Sequence, residues 1–217
     1  MSGADYRSIV AHYEARLAEY GDDPRGVDWP NQEDANTRFD VMLGVIQPDA
    51  IGPVSLLDFG CGAAHMLDYL QRREWRPYRY IGLDLSPSFI DLCRSKYPQD
   101  EFICADVLET PDLLPQYDYA VMNGVFTERV GVSEAAMFDY LKRLVAIVFS
   151  RARRGVAFNV MSSHVDWKRD DLFHVPLDQL AEFLVAEVTR HRVIRHDYGL
   201  YEYTVYIYAD PNAEGEG

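Results

Sequence analysis

Ser55-Leu-Leu-Asp-Phe-Gly-Cys-Gly-Ala-Ala-His65 is the stretch on which the fold of this chain turns. Val54, Leu56 and Leu57 form a short apolar run, Asp58 and Phe59 follow, and Gly60 and Gly62 stand one residue apart. Ala63, Met66, Leu67 and Leu70 then repeat at helical spacing. The pattern predicts a buried strand, a tight glycine turn and a helix. Glycine has no side chain to hold a ligand away from the backbone, and the next helix begins with N–H groups that lack partners. Such a turn brings a ligand close to the main chain.

Downstream, Arg79-Tyr-Ile-Gly-Leu-Asp84 reads as a second buried strand ending in a carboxylate. Ser86-Pro87 has the chemistry of a helix start, a capping hydroxyl followed by proline at the first helical position; Phe89, Ile90, Cys93 and Tyr97 form that helix's apolar side. Phe102 to Asp106 is a third strand, again ending in a carboxylate, and Tyr119 to Met122 a fourth, followed by Asn123 and Gly124. Ser133 caps a helix to about Ser150, and Gly155 to Val160 is a fifth strand. Pro176 opens a further helix. Val193 to Tyr198 and Glu202 to Tyr208 are two strand-like runs joined around Gly199, too short a link for a crossover and therefore an antiparallel hairpin. Upstream, residues 5–20 place Ile9, Tyr13, Leu17 and Tyr20 at helical spacing. A loop to Pro30 carries Trp29, and a helix from about Gln32 to Ile46 carries Arg38 beside an inner face of Phe39, Met42, Leu43 and Ile46. Alternating strands and helices predict a parallel sheet covered on both faces, which binds ligands at the carboxyl ends of its strands.

Composition bounds the partners. The chain has 217 residues, 48% hydrophobic and 26% charged, enough for one domain with a full core. Its net charge of −14 argues against nucleic acid, whose phosphates require clustered Lys and Arg. Cys61, Cys93 and Cys104 show no metal spacing and suggest buried thiols in a reducing compartment. No run approaches a membrane span, and no signal peptide is recognised at the start. A cytoplasmic enzyme, monomer or homodimer, with no metal and no membrane partner, is the expectation.

Two cofactor patterns compete for the glycine turn. The dinucleotide pattern G-x-G-x-x-G fails because His65 stands at its third glycine. The first motif of class I S-adenosylmethionine (SAM) dependent methyltransferases, Asp/Glu-x-Gly-x-Gly-x-Gly, is matched by Asp58, Gly60 and Gly62, with Ala64 at its last glycine. Over about residues 50–208 the chain resembles that family. The resemblance implies a three-layer α/β Rossmann-like fold, a seven-stranded mostly parallel sheet with a C-terminal antiparallel hairpin. It implies SAM as cofactor, with Asp58, Gly60 and Gly62 near the methionine moiety. Asp84 with Leu85 would sit at the ribose, Asp106 with Val107 at the adenine, and Asn123 under the methyl donor. Residues 1–48 are expected to form a helical lid or substrate segment, 49–209 the SAM-binding domain and 210–217 a polar tail. Gly26-Val-Asp-Trp29 with Arg38-Phe39 is similar to a segment of small methyltransferases, some from sugar and natural-product pathways.

The candidates have alternatives. Trp29 is a cover over the cofactor or a loop anchor on the core, and Arg38 a ligand for a carboxylate or a solvated helix residue. Asp106 also has the chemistry of a turn cap, and Asn123 that of a turn with Gly124. Cys61 lacks a matched base and reads as a small buried filler. The acceptor site is expected on loops after the fourth and fifth strands, around Phe126, Glu128, Ser162, Ser163, His164 and Asp166, and the N-terminal segment. His164 and His174 are the candidate bases because histidine titrates near neutral pH; both also read as surface loop histidines. The expected reaction is methyl transfer to oxygen or nitrogen of a small molecule; the alternatives are a SAM- or nucleotide-binding module without catalysis and a protein methyltransferase.

Overall fold

A computed structural model describes residues 6–23, 26, 31–50, 52–75 and 78–210. Trp29 and most of the polar tail lie outside the described residues. Helices α1 (Arg7–Tyr20) and α2 (Gln32–Leu43) precede the first strand. Then follow β1 (Val54–Phe59), α3 (His65–Arg72), β2 (Tyr78–Asp84), α4 (Pro87–Lys96), β3 (Glu101–Cys104), β4 (Tyr117–Phe126) and α5 (Glu134–Arg151). The chain ends with β5 (Ala152–Ser162), β6 (His174–Val175), α6 (Leu177–Glu187), β7 (Arg192–Arg195) and β8 (Glu202–Tyr208).

The strands form one sheet in the order β3-β2-β1-β4-β5-β8-β7, parallel from β3 to β5. β8 runs antiparallel to both β5 and β7, so the terminal hairpin places its second strand inside the sheet. The two-residue β6 pairs with the end of β5, an eighth strand that no periodicity could announce in so short a run. Between β1 and β4 the strand order reverses direction, which is where an open α/β sheet leaves a crevice for ligands.

Alternation explains the unbroken apolar strands. Leu56 packs in one layer with Phe39, Met42, Leu67, Leu70 and Ile90, whereas its neighbour Leu57 packs in the other with Leu141, Val145 and Leu184. Both faces of a parallel sheet are covered, so both sets of side chains are apolar. The helix starts follow local chemistry. Asn31 accepts from Glu33 N at 2.9 Å, the Ser86 hydroxyl from Phe89 N at 3.4 Å, and the Ser133 hydroxyl from Ala136 N at 3.2 Å.

Two strands end elsewhere than their sequence signal suggests. β4 continues through Asn123 and Gly124 to Phe126, so this pair lies inside a strand and not in a turn. The register with β5 shifts between Met122 and Phe126, and Gly124 takes φ +78° there. The third strand stops at Cys104, which leaves Asp106 two residues into the following loop.

Candidate active site

The glycine turn is built on left-handed backbone. Gly60 has φ +73° and Gly62 φ +51°, and a Cβ at Gly60 would stand 2.9 Å from Val125 Cγ2. The third position of the turn is also left-handed, at φ 58° and ψ 38°, yet it is held by Ala64, the N-cap of α3. Only glycine takes this conformation without cost, so the substitution at the motif's last glycine leaves the turn's shape intact and strained.

Three carboxylates stand around one cavity of about 170 Å³ at the switch point. Its wall includes Asp58, Gly60, Cys61 and Gly62 from the first strand and turn, and Asp84, Leu85 and Ser86 from the second. Asp106 and Val107 come from the loop after the third, and Asn123, Gly124 and Val125 from the fourth. Asp58 is 4% exposed and accepts the Tyr80 hydroxyl at 2.6 Å. Burial pushes its carboxyl up to about 7; the Tyr80 bond opposes the rise and the charge of Asp84 adds to it. Asp84 accepts the Gly62 N–H on one oxygen and the Ser86 N–H on the other, both at 2.9 Å. It thereby ties the second strand to the glycine turn. Burial also raises Asp84, against these backbone bonds.

Asn123 is 8% exposed and lines the cavity, and neither its Oδ1 nor its Nδ2 has a hydrogen-bond partner. A buried amide left unpaired is costly, so this side chain is poised for a polar ligand. Cys61 is buried in the wall. A hydrogen bond with Cys93 and burial push its thiol up, which keeps it protonated and unreactive.

The roof comes from α1. Tyr6, Ile9, Val10 and Tyr13 line the cavity, and the Tyr6 ring stacks on Tyr140 of α5 with centroids 5.2 Å apart. The Glu14 carboxylate accepts the Ser86 hydroxyl at 2.6 Å. Phe39, His65 and Tyr140 also line the cavity. None of these was identified as a site residue from the sequence. Helical spacing marked Ile9 and Tyr13 as one face, but nothing local showed what that face would cover.

Three expected residues are not brought to this wall. Arg38 does not line the cavity; its Nε donates to Glu202 Oε1 at 2.9 Å. His174 lies in β6, with Nδ1 2.7 Å from the Ser162 carbonyl and Nε2 accepting from Arg169 N at 3.3 Å, so both ring nitrogens are engaged in holding a loop. His164 is exposed in the loop after β5, with its Nδ1 3.3 Å from Ser163 Oγ. Among the described residues no group of three His, Cys, Asp or Glu side chains could hold a metal ion, and no helix is long and apolar enough to cross a membrane.

A glycine turn at the switch point, with carboxylates at or just beyond the ends of successive strands, has a counterpart among known proteins. Residues 56–148 fit the family model described as a methyltransferase domain. The chain is similar to class I methyltransferases in sequence and in fold. The protein Rv1506c of Mycobacterium tuberculosis, named as a methyltransferase, is 29% identical over 164 residues, 73% of this chain and 95% of that one. In fold, the chain resembles magnesium protoporphyrin IX methyltransferase from Synechocystis PCC 6803 with bound SAM. The TM-score is 0.64 at 14% identity, covering 96% of this chain and 99% of that one. It also resembles DhpI in its SAM–HEP complex, at TM-score 0.61 and 16% identity, covering 95% and 98%.

Proposed function

We propose that this enzyme transfers a methyl group from SAM to an oxygen or nitrogen of a small molecule. The observation that carries the reading is the cavity itself, where Asp58, Asp84, Asp106 and an unpartnered Asn123 converge at a glycine turn. The residues fit the cofactor. Asp84 is suited to accept from vicinal ribose hydroxyls and Asp106 from the adenine amine, beside Leu85 and Val107. Asp58 and Asn123 face the methionine end. There a carboxylate favours the ammonium and sulfonium charges, and Gly60 and Gly62 leave room for the ligand against the backbone.

Bound there, SAM supplies an electrophilic methyl carbon on a positively charged sulfur. The chain's own work is alignment and exclusion of water. Ile9, Val10 and Tyr13 give the roof an apolar face, and the strand-end carboxylates fix the orientation beneath. An oxygen acceptor must also lose a proton, whereas an amine need only be neutral before attack. If this chain supplies the base, His164 suits the task better than His174, whose ring is committed on both sides. The acidic surface favours a small acceptor over nucleic acid. The name of the Synechocystis relative, which specifies a porphyrin, supports the same class.

Calorimetric titration with SAM and with S-adenosylhomocysteine (SAH) tests the reading. Stoichiometric binding of both is expected. No binding at concentrations well above ordinary cofactor levels would sink it. Binding without turnover across a panel of hydroxyl and amine acceptors favours the non-catalytic module.

A further inference from the structure

Behind Asn123 runs a buried polar chain. Glu202, the first residue of β8, is 2% exposed, and Asn159 of β5 is fully buried. A carboxylate so placed is costly unless paired. Its Oε1 accepts from Arg38 Nε and from Asn159 Nδ2, each at 2.9 Å. The other end of the amide, Asn159 Oδ1, accepts the Gly124 N–H at 2.8 Å.

Chemistry fixes the sense of the chain. With its amide reversed, Asn159 would set an oxygen against a carboxylate and an N–H₂ against an N–H, losing both bonds. Glu202 therefore holds Asn159 with its carbonyl toward β4. Gly124 lies where the β4 register slips against β5, and a backbone N–H at such an irregularity loses its regular ladder partner. Asn159 supplies that partner. The residues on either side of Gly124 are Asn123 and Val125, both in the cavity wall.

We infer that Glu202 and Asn159 are positioning residues: they set the β4 irregularity that aims the Asn123 side chain into the cofactor site. Arg38 balances the charge and links α2 to this device. The inference rests on the SAM reading above.

SAH affinity, measured by calorimetry, tests it without a known acceptor. Asn159→Ala is expected to weaken SAH about tenfold or more, and Asn123→Ala to a similar extent. Because one acts through the other, the double variant should be no weaker than the weaker single variant. Glu202→Leu should lose affinity and Glu202→Gln, which keeps an acceptor oxygen, should restore most of it. Tyr203→Phe removes a buried bond from the same strand, to the Val175 carbonyl; it should lower Tm and leave SAH affinity unchanged. Multiplying effects of Asn159→Ala and Asn123→Ala, or Asn159→Ala binding within twofold of the parent, overturns the proposal. In the unsubstituted protein, the NMR signals of the Gly124 amide and the Asn159 side-chain amide should both move on adding SAH. If neither moves, the proposal falls even should the variants fail to fold. A parent protein that binds no SAH refutes the SAM reading instead, a separable result.

Discussion

The Tyr6 hydroxyl donates to Asp106 Oδ2 at 2.6 Å across a separation of 100 residues. It joins the first helix to the loop after the third strand, at the place proposed for adenine. Burial raises the Tyr6 phenol, and the bond to Asp106 raises it further, so Tyr6 remains a donor. With Glu14 on Ser86, α1 is bonded to the rim at two points about two turns apart. Tyr6→Phe keeps the ring on Tyr140 and removes one tie. We expect SAH to dissociate faster, by roughly five- to thirtyfold for the loss of about 1–2 kcal/mol in a charge-assisted bond. Stopped-flow displacement reads this directly, and an unchanged off-rate would show that the tie does not hold the roof.

Asp84 is bonded through one oxygen to the glycine turn at Gly62 and through the other to Ser86 at the start of α4, and it faces the cavity as well. Asp84→Ala removes a charged acceptor, one support of the glycine turn and one of the α4 start. At about 1.5–3 kcal/mol for each bond to a charged group, SAH affinity should fall roughly a hundredfold or more. Calorimetry measures the loss, and a thermal melt separates it from unfolding. Retained affinity would mean that the ribose assignment is wrong.

Asp58 couples stability to pH. Its folded pKa, about 7, lies above the usual carboxylate value of 3.8. The folded protein therefore binds the extra proton between those limits, and the stability from the neutral form is complete below the lower one. It is lost as pH rises toward 7. Asp58→Asn keeps an acceptor for the Tyr80 hydroxyl without the buried charge. Its Tm should exceed the parent's at pH 8, by roughly 2–4 °C per kcal/mol gained in a chain of this size, and by less at pH 5. SAM affinity should drop at the same time, because the carboxylate that favours a cation is gone. A parent Tm that rises from pH 5 to 8 relative to the variant would contradict the sign.

Ala64 sets two costs against each other. Its left-handed backbone costs about 1–2 kcal/mol. Glycine would relieve this but lose a buried methyl worth about 0.8 kcal/mol and gain about 0.4–1 kcal/mol of unfolded-state freedom. Ala64→Gly should therefore change stability by less than about 1 kcal/mol. Ala64→Val adds a β-branched side chain at a fully buried site with positive φ, and should cost at least about 2 kcal/mol. Denaturant melts of both variants check the pair, and a large gain from glycine would show that the buried methyl contributes little.

The sequence by itself determined the strand–turn–helix around Gly60 and Gly62, the parallel sheet and the terminal hairpin. It also marked Asp58 and Asp84 at the ends of the first two strands, whereas Asp106, read as the end of the third, lies two residues beyond it. All of these follow from short-range rules: the spacing of apolar residues, left-handed backbone at glycine, hydroxyl caps at Ser86 and Ser133. Asp58, Asp84, Asp106 and Asn123 were legible because a parallel sheet carries every strand end to one edge. Tertiary structure alone decided that Tyr6 and Glu14 would meet Asp106 and Ser86, that Tyr140 would close the wall, and that Arg38 would turn to Glu202, 164 residues away. It also took the histidines after β5 out of the cavity wall. Such contacts depend on how whole elements pack, and one face of a helix carries no mark of what it will cover until the sheet beneath it exists.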